Sequence, residues 1–308
     1  MTATPDTNPE KMQILPPTDM IYMTYDGNFQ LECDATVLAC QVIGGDSTPT
    51  TKDDTSEKKE ENGNGCAVSS VELCVDKTVL HAQGGGQPTD IGAVSLIPDG
   101  AEGEAVEVSI DKVLLDRSTG VATHTGKINS NLVGRLQAGA SVHVAVDAAR
   151  RRILSECHTS GHVVDSAMAK CGKLLPPIKG YHFLDGPYVE YKGNIPAEER
   201  PALLEQLQHA FAELVESDIE TKIEMLSKSD AETVCNRVAE NYFNLNDFIG
   251  DRDETVRIVT VAGWPCPCGG THVKSTGELN KEGRRWTVTG LKSKKGVVRV
   301  KYGYTSTT

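Results

Sequence analysis

Between residues 20 and 146 the apolar residues come in short runs. "ATVLACQVI" (35–43), "VELCVDKTVLHA" (71–82), "AVSLI" (93–97), "AVEVSIDKVLL" (105–115) and "SVHVAVD" (141–147) are rich in β-branched residues, with Gly, Pro or Asp between them. Short strands at this spacing predict a small all-β barrel or sandwich. The first two runs are separated by "GGDSTPTTKDDTSEKKEENGNG" (44–65), which has no hydrophobic side chain to bury. We expect residues 44–66 to be a disordered insert in a hairpin.

At residue 147 the period changes. Asp147 is a good N-cap, helix formers follow, and Ile153, Leu154, Cys157, Gly161, Val164 and Met168 recur at helical spacing until Gly172 stops the helix. "KGYHFLDGPYVEYKG" (179–193) reads as a hairpin. A long amphipathic helix then buries Leu203, Leu204, Leu207, Phe211 and Leu214. "SKSDAETVCNRVAEN" opens a shorter helix, "TVRIVTVAGW" is a buried strand, and "RRWTVTGLKSKKGVVRVKYGY" gives two strands around a Gly turn. The expected organisation is a disordered lead-in (1–19), a β-barrel domain (20–146) and an α+β domain with an antiparallel sheet (147–308).

Composition adds constraints. The 308 residues include no apolar run long enough to span a membrane, and the first residues lack the basic start and apolar core of a secretory signal. A cytoplasmic protein is expected, so nine cysteines argue for thiols and metal ligands over a disulfide framework. The net charge of −12 speaks against general nucleic-acid binding. Its distribution is uneven. Arg284, Arg285, Lys292, Lys294, Lys295, Arg299 and Lys301 lie in one stretch without an acidic residue, a candidate phosphate-binding edge.

Two residue pairs carry the chemistry. His158 and His162 stand four apart on the predicted helix, on one face and within reach of one ion. Cys268 and His272 stand four apart in "CGGTH", where the glycines let the backbone bend sharply. One sulfur and three nitrogens form a zinc-type tetrahedral set, either closed and structural or open to substrate. Cys266 offers a competing thiol; spacing to His272 favours Cys268. A third motif, "HAQGGGQPTDIG" (81–92), places three glycines between strands, as where a backbone must approach a ligand closely. It is neither a P-loop nor a dinucleotide fingerprint. Its N–H groups are candidate donors, and Gln83 or Gln87 a candidate partner for a ribose or carbonyl.

The ordered trio "TVLHAQGGGQPTDIG", "HTSGH" and "CGGTHVKSTGEL" resembles the alanyl-tRNA editing family. These are free-standing relatives of the editing domain of alanyl-tRNA synthetase, which shares its second additional domain with threonyl-tRNA synthetase. The resemblance covers roughly residues 30–305 outside the insert. Ala82 stands where the family commonly has Pro, and the C-terminal extension of the longest relatives is absent. The resemblance implies a β-barrel joined to an α+β editing domain. It implies Zn2+ on His158, His162, Cys268 and His272, and an editing pocket that includes Gly84, Gly85, Gly86 and Gln87, with Thr271, Thr276, Gly277 and Glu278 flanking the metal. The implied activity is hydrolysis of the ester of mischarged tRNA, chiefly serine on tRNA(Ala) and sometimes glycine. Ser-tRNA(Thr) and a zinc-stabilised RNA-binding module without turnover are the alternatives. No Ser/His/Asp or reactive-Cys signature points to a covalent route. His182, Thr271 and Asp165 are candidate groups for orienting water or recognising a hydroxyl. The expected partner is the acceptor end of tRNA, with no membrane association.

Overall fold

The computed structural model describes residues 15–43, 67–98, 105–239 and 255–306. The expected disordered insert and residues 1–14 of the lead-in lie outside these. The rest of the lead-in is a correction: Thr18 is buried, its hydroxyl donates to Val75 O and accepts from Ala122 N, and β1 (Asp19–Met20) pairs in parallel with β4 (Lys77–Thr78). Buried hydrogen bonds hold this segment to the barrel even though its sequence is Pro-rich and short of apolar residues.

The barrel closes from β2 (Glu32–Val42), β3 (Val68–Val75), β5 (Gly92–Leu96), β6 (Glu107–Asp116), β7 (Val121–Asn129) and β8 (Ser141–Val146), in the order β2-β3-β7-β6-β5-β8. All its pairings are antiparallel. Alternate residues point inward: Val71, Leu73 and Val75 of β3 and Val142 and Val144 of β8 are fully buried. A bulge after Ile110 shifts the phase of β6, so Val113 takes the next inward place.

Strand β7 was not expected. Its inward residues are Ala122, His124, Gly126 and Ile128, a sequence with too little apolar signal to read as a strand. Two of them are fitted individually. A Cβ on Gly126 would fall 2.3 Å from Ser109 O. His124 is fully buried with Nδ1 on Leu73 O and Nε2 on Thr78 Oγ1, and burial pushes its pKa down to about 4.

The second half is α+β. Helix α2 (Ala148–Lys170) is capped by Asp147, whose carboxylate accepts from Arg150 N. It ends with Gly172 at φ 68° and a bond from Lys173 N to Met168 O. It packs against α3 (Arg200–Glu216) and a four-stranded sheet ordered β14-β15-β10-β9. These strands are β9 (Pro177–Tyr181), β10 (Tyr188–Lys192), β14 (Arg284–Lys294) and β15 (Val297–Ser306). The turn between β14 and β15 is Lys295-Gly296, both at positive φ, the two-residue form that matches strand twist. Leu207, Phe211, Val164, Met168, Trp286, Val288 and Val300 meet in one core. A second sheet, β11-β12-β13 (Lys222–Ser227, Thr255–Val261, Trp264–Pro267), is partly covered by α4 (Lys228–Val238) and leads into the Cys/His turn.

The two halves are locked together by charge. Arg151 on α2 reaches into the barrel, where its guanidinium pairs with the fully buried Asp90 and donates to Val79 O. On the far side of α2, fully buried Glu156 accepts from Arg152, Arg284 and Trp286 Nε1.

Candidate metal centre

Helix α2 is buried on nearly every side where it carries "SECHTSGH". Polar groups there must find partners or raise the energy of the fold. His158 and His162, one turn apart, face the turn after β13. One donor atom from each of His158, His162, Cys268 and His272 lies within 4.8 Å of the others. Cys268 Sγ is 3.4 Å from His158 Nε2 and 3.3 Å from His272 Nε2. Cys266 is not in the cluster; on β13 it pairs with Val259 of β12, and its thiol contacts Pro267 O. The choice between the two thiols therefore falls on Cys268.

Gly270 lets the turn come this close. A Cβ there would sit 2.2 Å from the His158 ring. The outer edges of the rings are oriented by neutral partners. His158 Nδ1 lies 2.6 Å from Gln87 Oε1, and His272 Nδ1 lies 3.1 Å from Thr159 Oγ1, so both turn Nε2 inward. His162 Nδ1 is buried with no hydrogen-bond partner among the described residues. A bound ion would account for that nitrogen. Burial pulls the pKa of all three imidazoles down, His162 to about 4, and keeps them in the neutral form a metal requires. The same burial raises the Cys268 thiol, opposed by the buried Arg257 guanidinium beside it. These four groups can hold a metal ion.

The glycine loop is part of the same construction. Gln87 is fully buried: its Oε1 accepts from His158 and Thr271 N, and its Nε2 donates to Thr271 Oγ1. The barrel loop, helix α2 and the metal turn thus share one side-chain amide. Gly84 and Gln87 close a tight turn through paired backbone bonds, with Gly85 at φ 57° and Gly86 at φ 82°. Gly86 O accepts from His182 N, and a Cβ on Gly86 would fall 2.4 Å from Gly180 O.

The model of the threonyl and alanyl tRNA synthetase second additional domain matches residues 256–301, which include the Cys/His turn, β14 and the first half of β15. Curated relatives extend the match. An alanine–tRNA ligase of Synechococcus sp. (strain CC9311) is 28% identical over 71% of this chain and 23% of its own length. One of Streptomyces avermitilis is 24% identical over 82% of this chain and 25% of its own. One of Thermotoga petrophila is 28% identical over 72% of this chain and 24% of its own. These matches support a relationship to the alanyl-tRNA synthetase editing-domain family. It spans about a quarter of the length of these curated relatives.

The expected site residues divide by position. His182 is buried against the cluster, its ring stacked on His158 at 4.1 Å, with Nδ1 bonded to Tyr302 OH at 2.5 Å. Burial lowers its pKa to about 3. Thr271 and Gln87 bond to the ligand-bearing elements. Thr276 and Gly277 instead anchor the following turn to the end of α3: Thr276 Oγ1 donates to Leu214 O, and Gly277 N donates to Asp218. Glu278 pairs with Arg152. Asp165 accepts from Tyr191 OH at 2.5 Å, and burial raises its pKa to about 7.

Four further residues hold the centre. Asn28, at the end of α1 (Tyr25–Asn28), brackets the His272 backbone: Nδ2 donates to His272 O, and Oδ1 accepts from His272 N. Arg257 donates to Met23 O and to Cys268 O. Ser155 bonds Thr271. Thr159 also accepts from Val273 N. Ser155 and Thr159 share the helical repeat of His158 and His162 and were findable from it. Asn28 lies 244 residues from its partner and gives no signal in the sequence.

Proposed function

We propose that this chain hydrolyses the ester bond of mischarged tRNA, most strongly Ser-tRNA(Ala) and also Gly-tRNA(Ala), at a centre that holds zinc. The observation that carries the proposal is the shared Gln87 amide, which ties a glycine loop of one half to a Cys/His3 cluster of the other. The donor set suits zinc. For Zn–S of about 2.3 Å and Zn–N of about 2.1 Å, a tetrahedral S···N edge is about 3.6 Å, close to the spacing of Cys268 from two of its partners. Zinc, when bound, would supply a Lewis acid for the ester carbonyl or a bound water of lowered pKa.

The chain's own groups would do the rest. In the glycine loop, Gly84 N and Gln87 N are spent on closing the turn, whereas the N–H groups of Gly85 and Gly86 form no hydrogen bond with a described residue. These two are the donors available to a developing oxyanion, a role worth about 10²–10³ in kcat per donor. For recognition of the serine hydroxyl, Thr271 is already shared between Gln87 and Ser155. His182, with Nδ1 taken by Tyr302, has Nε2 without a hydrogen-bond partner among the described residues. It is the stronger candidate. Hydrogen bonding to that hydroxyl would reject alanine by about 10⁴–10⁵ in a favourable site.

The basic edge is smaller than its sequence. Arg284 is engaged by Glu156 and Glu282, and Arg299 by Glu190. Arg285, Lys292, Lys294, Lys295 and Lys301 form no ion pair with a described residue and are the cations that would meet the acceptor stem. The test is deacylation of Ser-tRNA(Ala), Ala-tRNA(Ala) and Ser-tRNA(Thr) by wild type and Cys268→Ala, with metal content measured in parallel. Hydrolysis of the first alone, lost with the metal in the variant, is expected. Stoichiometric metal without hydrolysis of any of the three would reject the proposal.

A further inference from the structure

The chain leaving β9 buries His182 and presents the neighbours of His182 to the opposite side. In the four-stranded sheet the inward residues Val189, Tyr191, Val298, Val300 and Tyr302 are almost fully buried. The alternate residues Tyr181, Tyr188, Glu190, Arg299 and Lys301 are only partly covered, and Lys179 and Lys292 are exposed. On that outer face the rings of Phe183 and Tyr181 stack at 4.7 Å and 15°, and those of Tyr181 and Tyr188 at 5.2 Å and 19°. The Arg299 guanidinium lies 4.1 Å over the Tyr188 ring, and Lys179 Nζ lies 5.8 Å from the same ring centre.

We propose that this aromatic ladder, Phe183–Tyr181–Tyr188, is a stacking platform for unpaired nucleobases at the 3′ end of an RNA. The proposal rests on the editing function above and names how that substrate's single-stranded end is held. Three observations carry it. Rings stacked in series on an open sheet face make a column that an unpaired base can extend, independent of its sequence. The face is basic in a chain of net charge −12. Its two carboxylates are engaged, Glu190 by Arg299 and Asp185 by the Tyr181 hydroxyl, whereas Lys179, Lys292 and Lys301 form no ion pair with a described residue. Finally, the ladder adjoins the candidate centre: Tyr181 and Phe183 flank His182, which bonds the glycine loop and stacks on His158. Base pairs inside a double helix have both faces covered and a blunt end offers only one, whereas unpaired bases can turn a face to such a ladder, so the unpaired terminus is the part of a tRNA that fits best.

The test uses the full-length protein and two uncharged, fluorescein-labelled RNA hairpins: an acceptor-stem minihelix ending in unpaired ACCA and the same stem cut blunt. Binding is read by anisotropy at low salt, for wild type and for Tyr188→Ser, Tyr188→Phe and Phe183→Ser. Each serine variant should weaken binding to the overhanging probe at least about fivefold. Binding to the blunt probe should stay within twofold, and Tyr188→Phe should restore wild-type affinity. Phe183 lies beyond the end of β9, so its variant keeps the test valid if Tyr188→Ser unfolds. Equal losses on both probes, or no loss on either, would overturn the ladder. No hydrolysis step enters, so the ladder can fail while wild type still deacylates Ser-tRNA(Ala), and it can stand if wild type does not.

Discussion

Replacing Gln87 by Leu tests the joint between the glycine loop and the Cys/His cluster. The side chain is fully buried and close to Leu in size, so little volume changes. Its amide oxygen accepts from His158 Nδ1 and from Thr271 N, and its nitrogen donates to the Thr271 hydroxyl. Leu leaves two buried donors without an acceptor, each costing about 1–3 kcal/mol. We expect a loss of stability of about 3 kcal/mol, allowing for overlap between them. The His158 ring also loses the partner that sets its tautomer, and such partners are worth about 10–100-fold in metal affinity. Gln87→Glu keeps two acceptor oxygens for the same donors and should hold metal far better than Leu. The assay is chelator competition for zinc, paired with denaturant unfolding of the metal-free protein. A zinc affinity for Gln87→Leu within twofold of wild type would refute the claim that this amide orients a ligand.

Other consequences can be checked separately. Gly270→Ala places a methyl group 2.2 Å from the His158 ring, so the variant should lose stoichiometric metal while its barrel stays folded by circular dichroism. Arg151→Met strands the buried Asp90 carboxylate and should cost about 3–5 kcal/mol in denaturant unfolding. His124 titrates near 4 when folded and near 6.5 when unfolded, so the unfolded state binds more protons between those values. Stability therefore falls as pH drops below about 6.5, by about 1.4 kcal/mol per pH unit from this residue, and His124→Gln should flatten that slope. Lys294→Glu with Lys295→Glu should weaken tRNA binding at low salt and reduce its salt dependence.

The barrel strands with alternating Val, Ile and Leu were legible because one inward face repeats every second residue. Strand β7 was not, because its inward positions are filled by His124 and Gly126, each fitted to one neighbour. The two pairs that form the Cys/His cluster were legible at both ends, since a four-residue spacing holds on a helix and in a glycine turn alike. Their supports were less so. Gln87 was singled out as a pocket residue, and its structure gives it the further task of orienting His158. The reach of Asn28 and Arg257 around the Cys/His turn depends on tertiary packing, which leaves no local period to detect.

The coordination shell itself decides the central claim. X-ray absorption at the zinc edge of the stoichiometrically loaded protein should show one sulfur at about 2.3 Å and three nitrogens at about 2.0–2.1 Å. Two sulfurs would bring in Cys266, and an oxygen-only shell would remove the cluster; either result contradicts a centre made by His158, His162, Cys268 and His272.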